Sequence, residues 1–390
     1  MKTPTFFSLY SMLRLLAALF AIILFPHIAL SNPLPTVKIG VLLALTGPYP
    51  TQGNAFREGI QLAEAHINAS GGINGRPFRV VIEDTVNDPK TALTAAKKLI
   101  AKDHVIAALM SSYPEYQTGG MEFQRNKVPV IAIWDSSPEL DQMGDWIFGI
   151  GPWVPSSGEV SAEFAASQIT GKRAVIINSI DPWADLVAGY FEKKFTSLGG
   201  TVVKRFQINP DTSDFRTVLI SARVTGADVL FAPIIDHIPD FHRQKRQTGW
   251  SVPTISSDVI AQEHIDAAPE ALEGVYLSKN KDPIVDGVKP LYAEYRKRFG
   301  HEPGLPWFVS TGYDGVMLLV TALRSGCATG EEIRNFLSHL RGYKGETQEY
   351  NFTPEGSAPQ MAVIYQIRKG KLDLAWEPGN LSAALGTIGK

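Results

Sequence analysis

Four short polar segments stand where extended strands should end. Ser111-Ser112-Tyr113 follows the apolar run 105–110, and Asp135-Ser136-Ser137 follows 128–133. Asp181-Pro182-Trp183 follows 173–179, and Ser256-Ser257-Asp258 follows the Val-Pro-Thr-Ile stretch 252–255. The chemistry these residues offer is recognition. Hydroxyls and the free N–H groups of a helix N-terminus satisfy a carboxylate. An ammonium has three donors and no acceptor, so it needs a carboxylate or carbonyls. A single Ser in such a place serves equally well as a helix cap; four segments at equivalent places point to a binding site.

Signals for bond-making chemistry are missing. The sequence holds no Gly-x-x-x-x-Gly-Lys loop, Gly-x-Gly-x-x-Gly turn, Gly-x-Ser-x-Gly elbow or His-Glu-x-x-His helix. Cys327, the single cysteine, cannot form an internal disulfide and reads as a structural thiol beside an apolar helix. The best metal candidates are Asp236, His237, Asp240 and His242. The two histidines are five apart with Pro239 between them, which breaks helical ligand spacing. A solvated loop leading into a helix is expected there, and Arg243-Gln244-Lys245-Arg246 reads as a solvated helix face. His264 and His301 read as isolated surface residues. No metal, cofactor or catalytic residue is expected.

The elements that must position these segments alternate between strand and helix. Residues 37–45 form an apolar strand, and the next helix carries Phe56, Ile60, Ala63 and Ile67 on one face until Gly71-Gly72 stops it. A strand over 78–84 precedes a helix begun by Asp88-Pro89, a cap followed by a first-turn proline. Strands follow over 105–110 and 128–133. The order then recurs: a strand over 173–179, a helix from Pro182 to Gly199-Gly200, a strand over 201–208, a helix around Phe215, Leu219 and Ala222, and strands over 227–233 and 252–255. Short apolar strands separated by helices indicate parallel sheets covered on both faces. The repeated landmarks predict two α/β lobes of similar build. Helices over 290–299, 307–323 and 331–340 and a terminal hairpin, 362–368 with 371–376, must return to those lobes.

The 390 residues, 44% hydrophobic and 19% charged, suffice for two domains with real cores. Residues 1–31 differ from the rest: Lys2 and Arg14 precede an apolar run over 15–25, Pro26 breaks it, and Ala29-Leu30-Ser31 ends on small residues. This pattern is a cleavable secretory signal peptide, the run being shorter than the roughly 20 residues of a membrane span. An anchored mature protein is the alternative. Cleavage would move the net charge from −2 to −4, which gives no electrostatic case for nucleic acid.

Some residues carry a family resemblance. Ile39 through Pro48, Gly59-Ile60-Gln61-Leu62-Ala63 and Ile67 through Pro77 resemble the opening of Leu/Ile/Val-binding-type periplasmic receptors. Asp88-Pro89, Ser136-Ser137-Pro138-Glu139-Leu140 and Gly312-Tyr313-Asp314-Gly315-Val316 continue the match. The resemblance implies a type I periplasmic-binding-protein fold: α/β, with two similar doubly wound parallel-sheet lobes joined by three crossover segments. The crossings are expected near Gly151, Asn280 and Met361. Residues 32–150 and 281–361 would form the N-terminal lobe, and 151–280 and 362–390 the C-terminal lobe.

In such receptors the first lobe holds an amino acid's carboxylate with hydroxyls and backbone N–H groups, which match Ser111 and Ser136. An acid in the second lobe takes the ammonium, matching Asp258, and an aromatic covers the ligand, matching Trp183. Ser112, Tyr113, Ser137, Asp135 and Gln52 complete the candidate site. Tyr113-Pro114 interrupts the family's Ser/Thr run, Asp135 stands where a small residue is usual, and Gln52 stands where some relatives place an aromatic contact; a second carboxylate and a Gln favour a polar ligand over a branched aliphatic one.

The expected function is a monomeric periplasmic receptor of an ABC importer, delivering a small amino-acid-like solute to a membrane permease. A ligand-sensing module for an amide, urea or aromatic acid is the alternative. An enzyme using the same cleft lacks a nucleophile–base pair in the sequence.

Overall fold

The computed structural model describes residues 34–281 and 290–379; the expected signal peptide lies outside them. The first half builds β1 (Val37–Leu43), α1 (Pro50–Ala69), β2 (Phe78–Asp84), α2 (Pro89–Ala101), β3 (Ala107–Met110), β4 (Val130–Ala132) and β5 (Ile147–Gly149). Local chemistry sets the boundaries. Asp88 caps α2 by accepting the Thr91 N–H at 2.8 Å, with Pro89 in the first turn. Every residue of β3, β4 and β5 is buried, as both faces of a helix-covered parallel sheet require. The sheet order is β2-β1-β3-β4-β5, parallel throughout.

The second sheet repeats this plan. It contains α3 (Val154–Ser167), β6 (Arg173–Ser179), α4 (Pro182–Ser197), β7 (Thr201–Ile208), β8 (Val229–Phe231), α5 (Ile238–Gln247), β9 (Thr254–Ser257) and β10 (Tyr276–Asn280) among its strands and covering helices. Strands β7-β6-β8-β9-β10 run in the same parallel order as the first five. In each sheet the order reverses beside the leading strand, the place where open α/β sheets bind ligands. The terminal hairpin, β11 (Ala362–Arg368) with β12 (Lys371–Trp376), extends this sheet antiparallel from β10. A later helix, α6 (Pro306–Arg324), returns to lie along α1. The two helices approach closely because a Cβ on Gly59 would stand 1.9 Å from the Val309 carbonyl oxygen, and one on Gly312 2.7 Å from that of Phe56.

Three chain segments joining the two sheets meet at Gln360. Its Oε1 accepts from Asn280 Nδ2 and, at 3.1 Å, from Trp307 Nε1; its Nε2 donates to the Ile150 carbonyl at 3.3 Å. Pro152 and Gln360 also pair as a parallel bridge.

The structure corrects two sequence expectations. The segment around His237 and His242 is helix α5 from Ile238 onward, not a loop, and His242 is buried edge-on against Phe241. Burial pushes the His242 imidazole down to about 3, so it sits there as a neutral packing group. Lys245 does not belong to a solvated face. Its ammonium donates to the Trp250 and Val252 carbonyls, both at 3.0 Å, and burial lowers it to about 8. Helix α3 and strand β5 carried no readable period. In α3, serines are small enough to be buried beside apolar residues: Ser161 Oγ donates to the Ser157 carbonyl, and Ser156 Oγ accepts from the Ala362 N–H. Such a helix shows no polar face to find.

Candidate functional site

A pocket of about 740 Å³, part of it open to solvent, lies beyond the carboxyl ends of strands from both sheets. From the first sheet, Tyr49 and Gln52 follow β1, Ser112 and Tyr113 follow β3, and Trp134 and Asp135 follow β4. Phe308, in the first turn of α6, completes this wall. From the second sheet, Asp181 and Trp183 follow β6, Ile235 follows β8, Asp258 follows β9, and Lys279 lies on β10. The aromatic groups brace one another: Trp134 meets Tyr49 edge-on at 5.5 Å and Phe308 at 5.3 Å between ring centres.

Much of the polar machinery at the strand ends is already engaged within the chain. Glu115 is fully buried, and its Oε2 accepts from the Ser111 N–H at 2.5 Å, the Ser112 N–H at 2.9 Å and Ser111 Oγ at 3.0 Å. Thr85 Oγ1 donates to its other oxygen at 2.6 Å. Burial still pushes the Glu115 carboxyl up to about 7 against the pull of these donors. Across the pocket, Asp181 Oδ1 accepts from the Trp183 and Ala184 N–H groups at 2.9 and 3.1 Å, closing the N-terminus of α4. Ser136 Oγ donates to the Gly151 carbonyl at 2.8 Å. Ser137 Oγ accepts from Tyr113 at 2.9 Å and from the Leu140 N–H at 3.1 Å.

Other groups are left open. Among the described residues, Ser112 Oγ and Asp258 Oδ1 have no hydrogen-bond partner. Asp135 is 5% exposed, and burial, then the nearby Asp258 and Asp181 charges, hold its carboxyl well above the ordinary range. Burial raises Asp258 to about 6, although Lys279 pulls it down. Burial also raises Tyr49, with Asp181, Asp236 and Asp135 adding to the effect. An acceptor-rich pocket of this kind stabilises a cation or a hydrogen-bond donor.

Six of the nine candidate residues line the pocket: Gln52, Ser112, Tyr113, Asp135, Trp183 and Asp258. Ser111, Ser136 and Ser137 do not line it. Each is fully buried with its hydroxyl bonded to the chain itself. The hydroxyls of Ser111 and Ser136, expected to meet a ligand, are engaged within the chain; at the first strand end the hydroxyl left without a partner is that of Ser112. Sequence reasoning missed Tyr49, Trp134, Phe308 and Lys279. The alternation Val275-Tyr276-Leu277-Ser278-Lys279 after Gly274 was the readable signal for β10 and its lysine. Phe308 comes to the site only because α6 packs on α1, which no local pattern reveals.

The sequence model describing periplasmic binding proteins matches residues 36–371. A Leu/Ile/Val-binding protein homolog from Brucella abortus is 24% identical over 345 residues, covering 86% of this chain and 91% of the relative. The structure resembles that of a leucine-binding protein from Thermotoga maritima at a TM-score of 0.80 and 26% identity, covering 88% of this chain and all of that one. It also resembles a solute-binding protein of an ABC transporter from Rhodopseudomonas palustris, solved with 3,4-dihydroxybenzoic acid. That TM-score is 0.75 at 21% identity, covering 88% of this chain and 96% of the other.

Proposed function

Because the chain belongs to the periplasmic binding protein family, we propose that it is the substrate-binding receptor of an ABC importer. It binds a small amino-acid-like solute and presents it to a membrane permease. The observation that carries this reading is the pocket itself. It draws Ser112 and Asp135 from the ends of one doubly wound sheet and Trp183 and Asp258 from the ends of another. Each sheet with its helices acts as one lobe, residues up to 150 with 281–361 and residues 151–280 with the terminal hairpin. The Ile150–Asn280–Gln360 cluster is the hinge on which the lobes close. On this reading the site binds its ligand for delivery, as membership of a binding-protein family supports. The leader over residues 1–31 directs the chain to the periplasm.

Closure supplies the test. Small-angle scattering of the purified protein should show a smaller radius of gyration on saturation with a solute that raises its melting temperature. Binding proven by the melting shift, with no change in radius, would refute the hinged receptor.

A further inference from the structure

The pocket can meet both charges of an amino acid. For the carboxylate it offers the Lys279 ammonium and the Ser112 hydroxyl, which has no partner among the described residues and belongs to a residue 6% exposed. It also offers the first turns of α1 and α6. Their cap residues, Tyr49 and Leu305, line the pocket and close neither helix with a side chain, so free backbone N–H groups stand there. For the ammonium it offers Asp258, whose Oδ1 meets no donor among the described residues.

These pairings leave one acid over. The lining holds three carboxylates, Asp135, Asp181 and Asp258, against one ammonium, Lys279. Asp181 accepts from the Trp183 and Ala184 N–H groups, and Asp258 feels Lys279. Asp135 has neither kind of relief. It is 5% exposed, and its carboxyl answers to burial and to the like charges of Asp258 and Asp181, with no hydrogen bond or cation to offset them. A zwitterion such as leucine brings no net charge. Closing the cleft on it would leave the Asp135 charge buried without a partner, which is costly. Beside Asp135 stands Trp134, braced by Tyr49 and Phe308, and aromatic faces attract organic cations.

We infer that the solute is an amino acid with a second cationic group on its side chain, and that Asp135 selects it by pairing with that group. The inference rests on the receptor reading above and narrows it. The carboxylate goes to Ser112 and Lys279, the backbone-type ammonium to Asp258, and the side-chain cation to Asp135 beside the ring of Trp134. Every charge in the closed pocket then has a partner of opposite sign or a hydrogen-bond donor.

Calorimetric titration of the full mature chain at pH 7.5 decides this, with L-lysine, L-arginine, L-leucine and 1,5-diaminopentane as probes. The expected result is saturable binding of lysine or arginine, with leucine weaker by about a hundredfold. Diaminopentane, which is lysine without its carboxylate, should bind at least about tenfold more weakly than the better of the two. Asp135→Asn and Asp135→Ala should each weaken the basic amino acid by about a hundredfold, the loss expected when one partner of a buried charge pair is removed, and should leave leucine no weaker. Thermal unfolding of each variant verifies that it is folded. Binding of leucine in preference to both basic amino acids overturns the inference and leaves the receptor function standing. Absence of lysine and arginine binding at millimolar concentration overturns it too. So does undiminished binding by Asp135→Asn, since a neutral amide would then serve as well as the charge, and so does diaminopentane binding as tightly as lysine. Binding of a basic amino acid with no radius change in scattering keeps the inference and removes the hinged receptor.

Discussion

Replacing Asp258 by Asn should stabilise the empty protein while weakening its ligand. The Asp258 carboxyl is raised from its ordinary 3.8 to about 6, a shift of about two units, and each unit corresponds to about 1.4 kcal/mol. A group raised on folding contributes stability that is present below its unfolded value and lost as pH rises through its folded value. Wild type therefore loses about 3 kcal/mol through this group between roughly pH 4 and pH 7. Asn carries no charge to bury and escapes that loss. Lys279 loses an attractive neighbour in the variant, which takes back part of the gain. The net expectation is a stabilisation of about 1–3 kcal/mol at pH 8, fading to nothing near pH 4. Urea unfolding of both ligand-free proteins at the two pH values measures it. A variant less stable than wild type at pH 8, or a gain equally large at pH 4, would refute the reasoning. Opposite signs in stability and affinity mark a residue whose strain serves binding.

Three further outcomes follow from the same geometry. Glu115→Ala orphans the buried Ser111 and Ser112 N–H groups, at about 1–3 kcal/mol each. Urea unfolding should show a clear loss of stability at pH 6, and an unchanged midpoint would mean water replaces the carboxylate. Trp183 is half-buried and lines the pocket while leaning on the core. Trp183→Ala should weaken the ligand at least tenfold but cost the empty protein only about 1–2 kcal/mol; a cost well above that would make it a core residue. Mass spectrometry of the exported protein should find a mature chain starting near Asn32, and retention of Arg14 would exclude cleavage there.

Local chemistry made much of this molecule legible before any coordinates. Strands alternating with helices, the Asp88-Pro89 start and the recurring Gly-Gly stops determine two doubly wound sheets, because backbone hydrogen bonding and one-sided burial act over a few residues. The same pattern marks the strand ends, so Asp135, Trp183 and Asp258 were found without contacts. Side-chain direction was decided only by tertiary packing. Nothing in Ser111-Ser112 says which hydroxyl is already paired; that depends on Glu115 turning back to take two N–H groups and one hydroxyl. Phe308 and Lys279 reach the site from elements remote in sequence, one through the close contact of α6 with α1 and the other from a strand placed between β9 and β11. Sequence periodicity reports which face of an element is buried; which buried polar groups already have partners is settled only when distant segments meet.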